Sequence, residues 1–176
     1  LDGSIIELGE WLRTPPGLCL LHWEQARLDQ AVADVFGYHA LQLGLPELQG
    51  LRSNRMPHRW VATDSMHQVE PLPLPSADDG DDSTPPFDPR VALYCDFDAL
   101  PFPDHSLDLV VLPHALELSR DPHLTLREVE RVLVPEGRVV IIGFNPASLW
   151  GLRQRAGHVL RGLGLDGSGD ERQGEG

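Results

Sequence analysis

The sequence lacks lysine, has only two cysteines and contains no apolar run long enough to cross a bilayer. Since all 14 of its strongly basic residues are arginines, a mechanism that uses a lysine nucleophile or a Schiff base is excluded. Cys19 and Cys95 are too few for a disulfide framework and form no Cys-x-x-Cys pair, which fits a reducing compartment. No positively charged leader precedes an apolar segment, so we expect an untargeted cytoplasmic protein with no membrane partner.

Positive charge is also scarce. The 27 acidic residues outnumber the 14 arginines and give a net charge of −13. A surface of this sign repels polyanions, so we expect no nucleic-acid partner. The 176 residues are enough for one domain with an apolar core, and the composition is that of an ordinary globular protein.

Breaks in composition predict how the chain is organised. Residues 1–16 end in Pro-Pro-Gly, which predicts a flexible N-terminal arm, and the glycine-rich residues 165–176 are expected to form a disordered tail. Between them we predict one domain over residues 17–164, with an acidic loop rich in proline and aspartate at residues 77–89.

An amphipathic helix is predicted near the start of this domain, over residues 18–36. Its apolar side chains recur at multiples of helical spacing, namely Leu21, Leu28, Val32 and Phe36. Polar residues occupy the intervening positions, and Gly37 provides a stop.

Short apolar strands alternate with one capped helix further along the chain. Residues 91–95 and 107–112 are rich in apolar side chains, which predicts two inner strands of a parallel sheet. Asp121 followed by Pro122 is typical of a capped helix start. The pattern is therefore strand, helix, strand, as in a right-handed crossover.

The crossover helix and the strand after it have recognisable limits. The apolar residues at helical spacing are Leu126, Val129 and Leu133. Proline and glycine at positions 135 and 137 are expected to end the helix, and residues 138–143 are predicted as a third buried strand.

Ordered motifs in this region carry a family resemblance. Asp96 follows the first of these strands, and a Leu-Pro-Phe turn at residues 100–102 precedes Leu-Asp-Leu-Val at 107–110. The helix then ends in Glu-x-x-Arg-Val-Leu at 128–133, before Pro-x-Gly and a hydrophobic strand. These motifs resemble class I S-adenosylmethionine-dependent methyltransferases, especially the small-molecule branch of ubiquinone and menaquinone biosynthesis. The resemblance covers about a third of the chain.

The resemblance implies a Rossmann-like α/β sheet that is mainly parallel and that binds S-adenosylmethionine. A complete family member adds two further strands after the fifth, the last of them antiparallel, and we expect both to be absent here. An exposed edge on the fifth strand would favour pairing of two copies into a homo-oligomer.

The glycine motif departs from the family pattern. In the resembling enzymes the first strand ends in an acidic residue, and three alternating glycines follow. Here Gln42 stands at the acidic position, Gly44 is the first glycine and Pro46 replaces the second. Proline removes a backbone donor and glycine loss restricts the backbone, so the resemblance implies cofactor contacts at Gln42 and Gly44 in a weakened site.

Two acidic residues are candidates for the adenosine end. Asp64 follows the predicted second strand at residues 59–62 and is a candidate for the ribose hydroxyls. The resemblance implies that Asp96 receives the adenine amino group and that the backbone of Phe97 contacts the ring. For both aspartates the alternative is an ordinary turn residue.

Further candidates lie near the predicted strand ends. Leu112 and His114 follow the fourth strand, where the resemblance implies contacts with the methionine end and the substrate. His114 and Asn145 are the catalytic candidates, with His114 as a general base, and a packing role is the alternative. Trp23 or Glu24 on the leading helix could approach the ligand, or the helix could simply pack in the core. The histidines have no metal-ligand spacing, so we predict no metal site.

Two functions remain open from the sequence. The first is an S-adenosylmethionine-dependent methyltransferase that acts on an unidentified small molecule. The second is a catalytically inactive binding or interaction module on the same fold, which the eroded glycine motif keeps under consideration. A nicotinamide enzyme is disfavoured because no G-x-G-x-x-G opens a helix.

Overall fold

The computed structural model describes residues 11–64 and 90–144, and the elements below belong to the unit Leu1–Gly143. In chain order they are α1 (Pro15–Ala33), β1 (His39–Leu43), β2 (His58–Thr63), β3 (Leu93–Tyr94), β4 (Leu107–Pro113), α2 (Ala115–Leu118), α3 (Pro122–Val132) and β5 (Leu133–Ile142). The predicted acidic loop and C-terminal tail lie outside the described residues, as does most of the N-terminal arm. The domain limits therefore stay predictions.

The strands form one sheet in the order β3-β2-β1-β4-β5, and every described pair is parallel. β1 occupies the centre, with Leu41 beside Trp60 of β2 and Val110 of β4. This arrangement confirms the predicted Rossmann-like α/β fold. The two final strands whose absence was expected would follow residue 144, outside the described residues.

Two apolar layers cover the central strands. Leu109 and Val111 of β4 face a layer that contains α1, whereas Val110 and Leu112 face the layer that contains α3. This alternation is the two-residue period of a strand buried on both faces, as predicted for β4.

α1 begins earlier and ends earlier than predicted. The hydroxyl of Thr14 accepts a hydrogen bond from the backbone of Gly17, and Pro15 occupies the first helical position. The predicted apolar face at Leu21, Leu28 and Val32 is buried. Phe36 lies beyond the helix and is 76% exposed, so its assignment to that face was wrong.

α3 begins where the sequence predicted. The Asp121 carboxylate accepts hydrogen bonds from the backbone N–H groups of His123 and Leu124. Val129 is buried, but Leu126 is 36% exposed, so the buried face is rotated relative to the predicted one.

Two predicted inner strands lie at the edges of the described sheet. β3 pairs over only two positions with β2, and Tyr94 is 48% exposed. β5 pairs with β4, and its Val139 and Ile141 are 43% and 47% exposed. The predictions that residues 91–95 form an inner strand and 138–143 a buried one were therefore wrong. Apolar composition does not specify which strands acquire a neighbour on both sides.

The Glu-x-x-Arg motif holds the turn between β3 and β4. Glu128 and Arg131 form an ion pair on α3 at 2.8 Å, and the Glu128 carboxylate accepts the backbone N–H of Leu100. Arg131 donates to the carbonyls of Leu100 and Phe102 and to the carboxylate of Asp104. The hydrogen bond from Arg131 lowers the pKa of Glu128 despite burial. The two family motifs are thus one hydrogen-bonded structural unit.

Among the described residues, no helix combines the length and apolar character that a membrane span requires.

Candidate functional site

Most of the described candidate residues lie at or near the carboxyl ends of the strands. Because the strands are parallel, the segments after β1, β2, β3 and β4 meet at one edge of the sheet, hereafter the carboxyl edge. Ligands of open α/β sheets bind at this edge. At this edge the loop after β1 lies close to the segments that follow β3 and β4. A Cβ built on Gly44 would lie 3.5 Å from Cβ of Ala115 and 3.7 Å from the ring of Phe97.

Gly44 occupies a backbone conformation that favours glycine. Its φ is +79°, and its N–H donates to the carbonyl of Ala62 at the end of β2. Leu45 follows with φ of 36°, which also lies in the left-handed region. The turn therefore has two successive residues in the left-handed region, and it brings the backbone close to the ends of β2 and β4.

The side chain of Gln42 forms hydrogen bonds with the backbone of the loop after β1. Its side chain is completely buried, and Nε2 lies 2.7–3.1 Å from the carbonyl oxygens of Gly44, Leu45 and Leu48. Its Oε1 accepts the N–H of Gly50 at 2.8 Å. Both ends of the amide are engaged with the loop backbone, so the geometry supports a structural role. The predicted contact between Gln42 and a cofactor stays a prediction.

Asp64, Asp96 and Phe97 lie together in a cavity of about 120 Å³. Asp64 follows β2 and Asp96 follows β3, and both residues are exposed, whereas Phe97 is only 5% exposed. The other lining residues come from the α3 side and from position 98, namely Asp98, Ser119, Arg120 and Asp121. Sequence reasoning named the first three residues, and the structure brings them to one place.

The thiol of Cys95 lies near this cavity and has a raised pKa. Burial raises the pKa of its thiol to about 11, with further contributions from the carboxylates of Asp96 and Asp64. The thiol stays protonated at neutral pH, so Cys95 is not a thiolate nucleophile.

The chemistry of the cavity fits an adenosine group. Exposed carboxylates are acceptors for ribose hydroxyls and for an adenine amino group, and the Phe97 ring provides an apolar surface. The backbone of Gly44 can approach a ligand closely because the residue has no side chain. The residues present therefore fit the adenosine part of S-adenosylmethionine.

His114 is the centre of a buried network at the end of β4. Its side chain is fully buried, its φ is +54°, and its backbone N–H donates to the carbonyl of Ile142 at the end of β5. Nδ1 lies 2.7 Å from the Glu117 carboxylate, and Nε2 lies 3.1 Å from that of Glu24 on α1. Three elements therefore meet at one imidazole.

This geometry favours a charged imidazole. A neutral imidazole has one N–H and one lone pair, so it cannot donate to carboxylates at both nitrogens. Burial lowers the pKa of His114, but the hydrogen bonds with Glu117 and Glu24 outweigh it and raise the pKa to about 9. At neutral pH the ring has no free lone pair, so the geometry does not favour the general-base role.

The remaining candidate residues are Leu112, Trp23, Glu24 and Asn145. Leu112 is fully buried in the apolar layer that contains α3, so its side chain packs in the core. Trp23 is 58% exposed on α1, whereas Glu24 is 3% exposed and binds His114. Asn145 lies outside the described residues, and its catalytic role stays a prediction. In the described ranges, no cluster of three or more metal-ligating side chains occurs.

Sequence reasoning missed Glu117 and the segment 119–121. Glu117 lies three residues after His114, the spacing at which helical side chains meet, so this pair could have been found from the sequence. The contribution of Ser119 and Arg120 to the cavity depends on where α3 begins relative to β3. No sequence pattern specified that distance.

Comparisons with known proteins point to one family. A family model described as a methyltransferase domain matches residues 81–141. An uncharacterised protein of Escherichia coli K12, YafS, is 53% identical over 55 residues, which are 31% of this chain and 23% of YafS. The malonyl-[acyl-carrier protein] O-methyltransferase of Halorhodospira halophila is 45% identical over 33% of this chain and 20% of its own length.

A quinone-pathway enzyme gives a similar result. The ubiquinone/menaquinone biosynthesis C-methyltransferase UbiE of Cellvibrio japonicus is 39% identical over 29% of this chain and 20% of that protein. The matched segment thus spans about a fifth to a quarter of these curated relatives.

Solved structures extend the likeness over most of the chain. The methyltransferase in a complex with the Trm112 activator from Haloferax volcanii aligns with a TM-score of 0.52 and 26% identity, over 77% of this chain and 59% of that one. An S-adenosylmethionine-dependent methyltransferase of Thermotoga maritima aligns with a TM-score of 0.53 and 16% identity, over 81% and 62%, and supports the fold alone.

The sheet order, the motif that joins α3 to the turn before β4, and these matches agree. Residues 81–141 are thus similar to methyltransferase domains, and the described sheet has the Rossmann-like fold of S-adenosylmethionine-dependent methyltransferases.

Proposed function

We propose that this protein binds S-adenosylmethionine at the carboxyl edge and transfers its methyl group to a small-molecule acceptor. The observation that carries the proposal is the cavity that joins Asp64, Asp96 and Phe97. These residues follow two different strands, and the sequence singled each of them out for the adenosine end. The comparisons do not favour an inactive module.

Each residue has a proposed role at the adenosine end. Asp64 accepts hydrogen bonds from the ribose hydroxyls, and Asp96 accepts one from the adenine amino group. The backbone N–H of Phe97 contacts the ring of the base. Gly44 lies beside Phe97 and lets the loop after β1 approach the methionine end, because a side chain there would occupy the space beside the ligand.

The chemistry of transfer needs position more than acid-base residues. When bound, S-adenosylmethionine supplies a methyl carbon whose bond to sulfur breaks as the acceptor's electron pair attacks, leaving a neutral thioether. The protein's part is to align the acceptor with that carbon and to exclude water. His114 is protonated at neutral pH, so we do not assign it the acceptor's proton.

Titration calorimetry with S-adenosylmethionine and S-adenosylhomocysteine tests the proposal. We expect micromolar binding to the parent chain, and at least tenfold weaker binding to Asp96→Asn, a loss of about 1.4 kcal/mol. The asparagine keeps the size of the side chain, removes its charge and replaces one acceptor oxygen with an N–H donor. Glu130→Gln, an exposed carboxylate on α3, is the matched control and should bind like the parent.

Two results would oppose the proposal. A folded parent chain that binds neither ligand has no working cofactor site. Equal binding by the parent and Asp96→Asn would remove Asp96 from the site. An acceptor screen with small molecules follows if binding is found.

We also propose that two copies pair through β5. In the described sheet β5 lies at one edge, and its Val139 and Ile141 are partly exposed. Such an edge favours association. Sedimentation of the parent and of Ile141→Asp tests this, since the parent should dimerise and the variant should not. A monomeric parent would rule the pairing out.

A further inference from the structure

The network around His114 joins parts of the chain that are distant in sequence. Glu24 and His114 are 90 positions apart, and both side chains are almost completely buried. Glu117 is 31% exposed at its side chain and contacts the other ring nitrogen. The imidazole therefore lies between an inner carboxylate on α1 and an outer one on α2.

α1 is attached to the rest of the fold at its middle and in its second half. In the second half, Gln25 exchanges two hydrogen bonds with the backbone of Gln49. Asp29 forms an ion pair with Arg52 at 2.6 Å. These contacts fasten the helix to the loop after β1. Glu24 instead fastens it to the end of β4.

The charge state of the network decides whether the second attachment holds. With His114 protonated, one cation separates two carboxylates and the trio carries a net charge of −1. Without that proton, two carboxylates face a neutral ring in a buried site, and at least one hydrogen bond is lost. The attachment between α1 and β4 is therefore protonation-dependent.

We propose that the His114 imidazolium is a positioning group that fastens the first half of α1 to the carboxyl edge through Glu24, and thereby supports the methionine end of the cofactor site. This inference rests in part on the proposed function, because the site it supports is the proposed one. His114 acts through the helix and does not touch the reacting atoms. The carboxylates that face it include Glu24 from α1 and Glu117 from α2.

Hydrogen exchange of the ligand-free chain tests the attachment itself. In Glu24→Gln and His114→Asn at pH 7, amides of residues 18–24 should exchange at least about tenfold faster than in the parent. Amides of residues 28–33 should change by less than about twofold, because the contacts of Gln25 and Asp29 remain. The second half of the helix is thus an internal reference.

One further variant and one further measurement keep the test specific. His22→Asn changes an exposed histidine on the same helix and should exchange like the parent. Glu24→Gln keeps the size and an acceptor oxygen, so it should fold even if His114→Asn does not. An NMR titration of the His114 ring should show loss of its proton at a lower pH in Glu24→Gln than in the parent.

Cofactor affinity gives a separate result. Affinity should fall when the pH rises from 7 to 10 in the parent, and Glu24→Gln should already bind more weakly at pH 7. If the folded parent binds no cofactor, the proposed function fails, and hydrogen exchange alone then decides on the attachment. Unchanged exchange in both folded variants, or faster exchange spread evenly along α1, would overturn the inference.

Discussion

The carboxylate of Glu24 lies 3.1 Å from Nε2 of His114, deep enough that the two side chains are 3% and 0% exposed. One residue belongs to the first helix and the other directly follows the fourth strand. An ion pair this deeply buried couples the stability of the fold to the protonation of the histidine.

Stability should fall as the pH rises from about 6.5 to about 9. His114 has an ordinary pKa of 6.5 and a folded-state pKa of about 9, so the folded chain holds the proton more tightly than the unfolded chain. Its contribution is complete below pH 6.5 and is lost as the pH rises through 9. At about 1.4 kcal/mol per pKa unit, the upper limit is on the order of 3 kcal/mol.

Urea unfolding between pH 6 and pH 10 measures this effect. His114→Asn should be less stable than the parent at pH 6 and should show a flatter curve across that range. A parent whose free energy of unfolding rises over the same range would contradict the charged network.

The substitution Gln42→Glu tests whether Gln42 contacts the cofactor or holds the backbone of the loop after β1. The substitution restores the carboxylate typical of the family, so a cofactor ligand would bind more tightly. The structure instead places three carbonyl oxygens around Nε2, and a carboxylate there would meet acceptors only. We expect destabilisation by about 2–4 kcal/mol, because buried polar groups lose their partners.

Thermal denaturation and calorimetry together measure the effect of Gln42→Glu. Gln30→Glu makes the same chemical change at an exposed position of α1 and should leave the melting temperature near that of the parent. Tighter cofactor binding by Gln42→Glu with unchanged stability would show that Gln42 contacts the ligand.

Gly44→Ala should destabilise the turn after β1 through its backbone. The nearest neighbours of an added Cβ lie 3.5 Å or more away, so the cost arises from the φ of +79° and not from a clash. A left-handed alanine costs about 1–2 kcal/mol. Gly44→Asn should lose less stability, because asparagine tolerates this region. Equal stability of the parent and Gly44→Ala, measured by urea unfolding, would mean that the turn adopts another conformation.

Glu128→Gln should loosen the turn before β4. The residue accepts hydrogen bonds from Arg131 and from the backbone of Leu100, and the lowered pKa of Glu128 means that its contribution is present above the ordinary value of 4.5. That contribution is lost as the pH falls through the lowered pKa. The melting temperature of the variant should therefore be lower than that of the parent at pH 7, with a smaller difference in acid.

The exposed neighbour Glu130 provides the comparison for this turn. Glu130→Gln should melt like the parent at both pH values. A Glu128→Gln variant that is as stable as the parent at pH 7 would show that the ion pair does not hold the turn.

Much of the central fold could be predicted because its signals are local. Asp121 and Pro122 specify the start of α3, and the continuous apolar run of β4 specifies burial on both faces. The edge position of β3 and the exposure of β5 could not be predicted in this way. Both depend on which strands pair across the sheet, and the sequence of a single strand does not specify its neighbours.

The candidate site could also be predicted only in part. Asp64, Asp96 and Phe97 could be predicted because each follows a strand, and parallel strands bring such positions together. The role of Gln42 could not, because its amide binds carbonyls whose direction depends on the whole loop. Glu24 and His114 are separated by most of the described chain, and only the fold shows that they meet.

Chemical-shift mapping with S-adenosylhomocysteine is the most direct test of the proposed site. Adding the ligand to ¹⁵N-labelled protein should shift the backbone amides of Gly44, Asp64 and Phe97 and of residues 119–121. Those residues lie at the carboxyl edge, whereas His58 begins β2 and His105 lies just before β4, at the opposite edge, and neither should shift. A folded chain with no shifts, or with shifts confined to that opposite edge, would contradict the account.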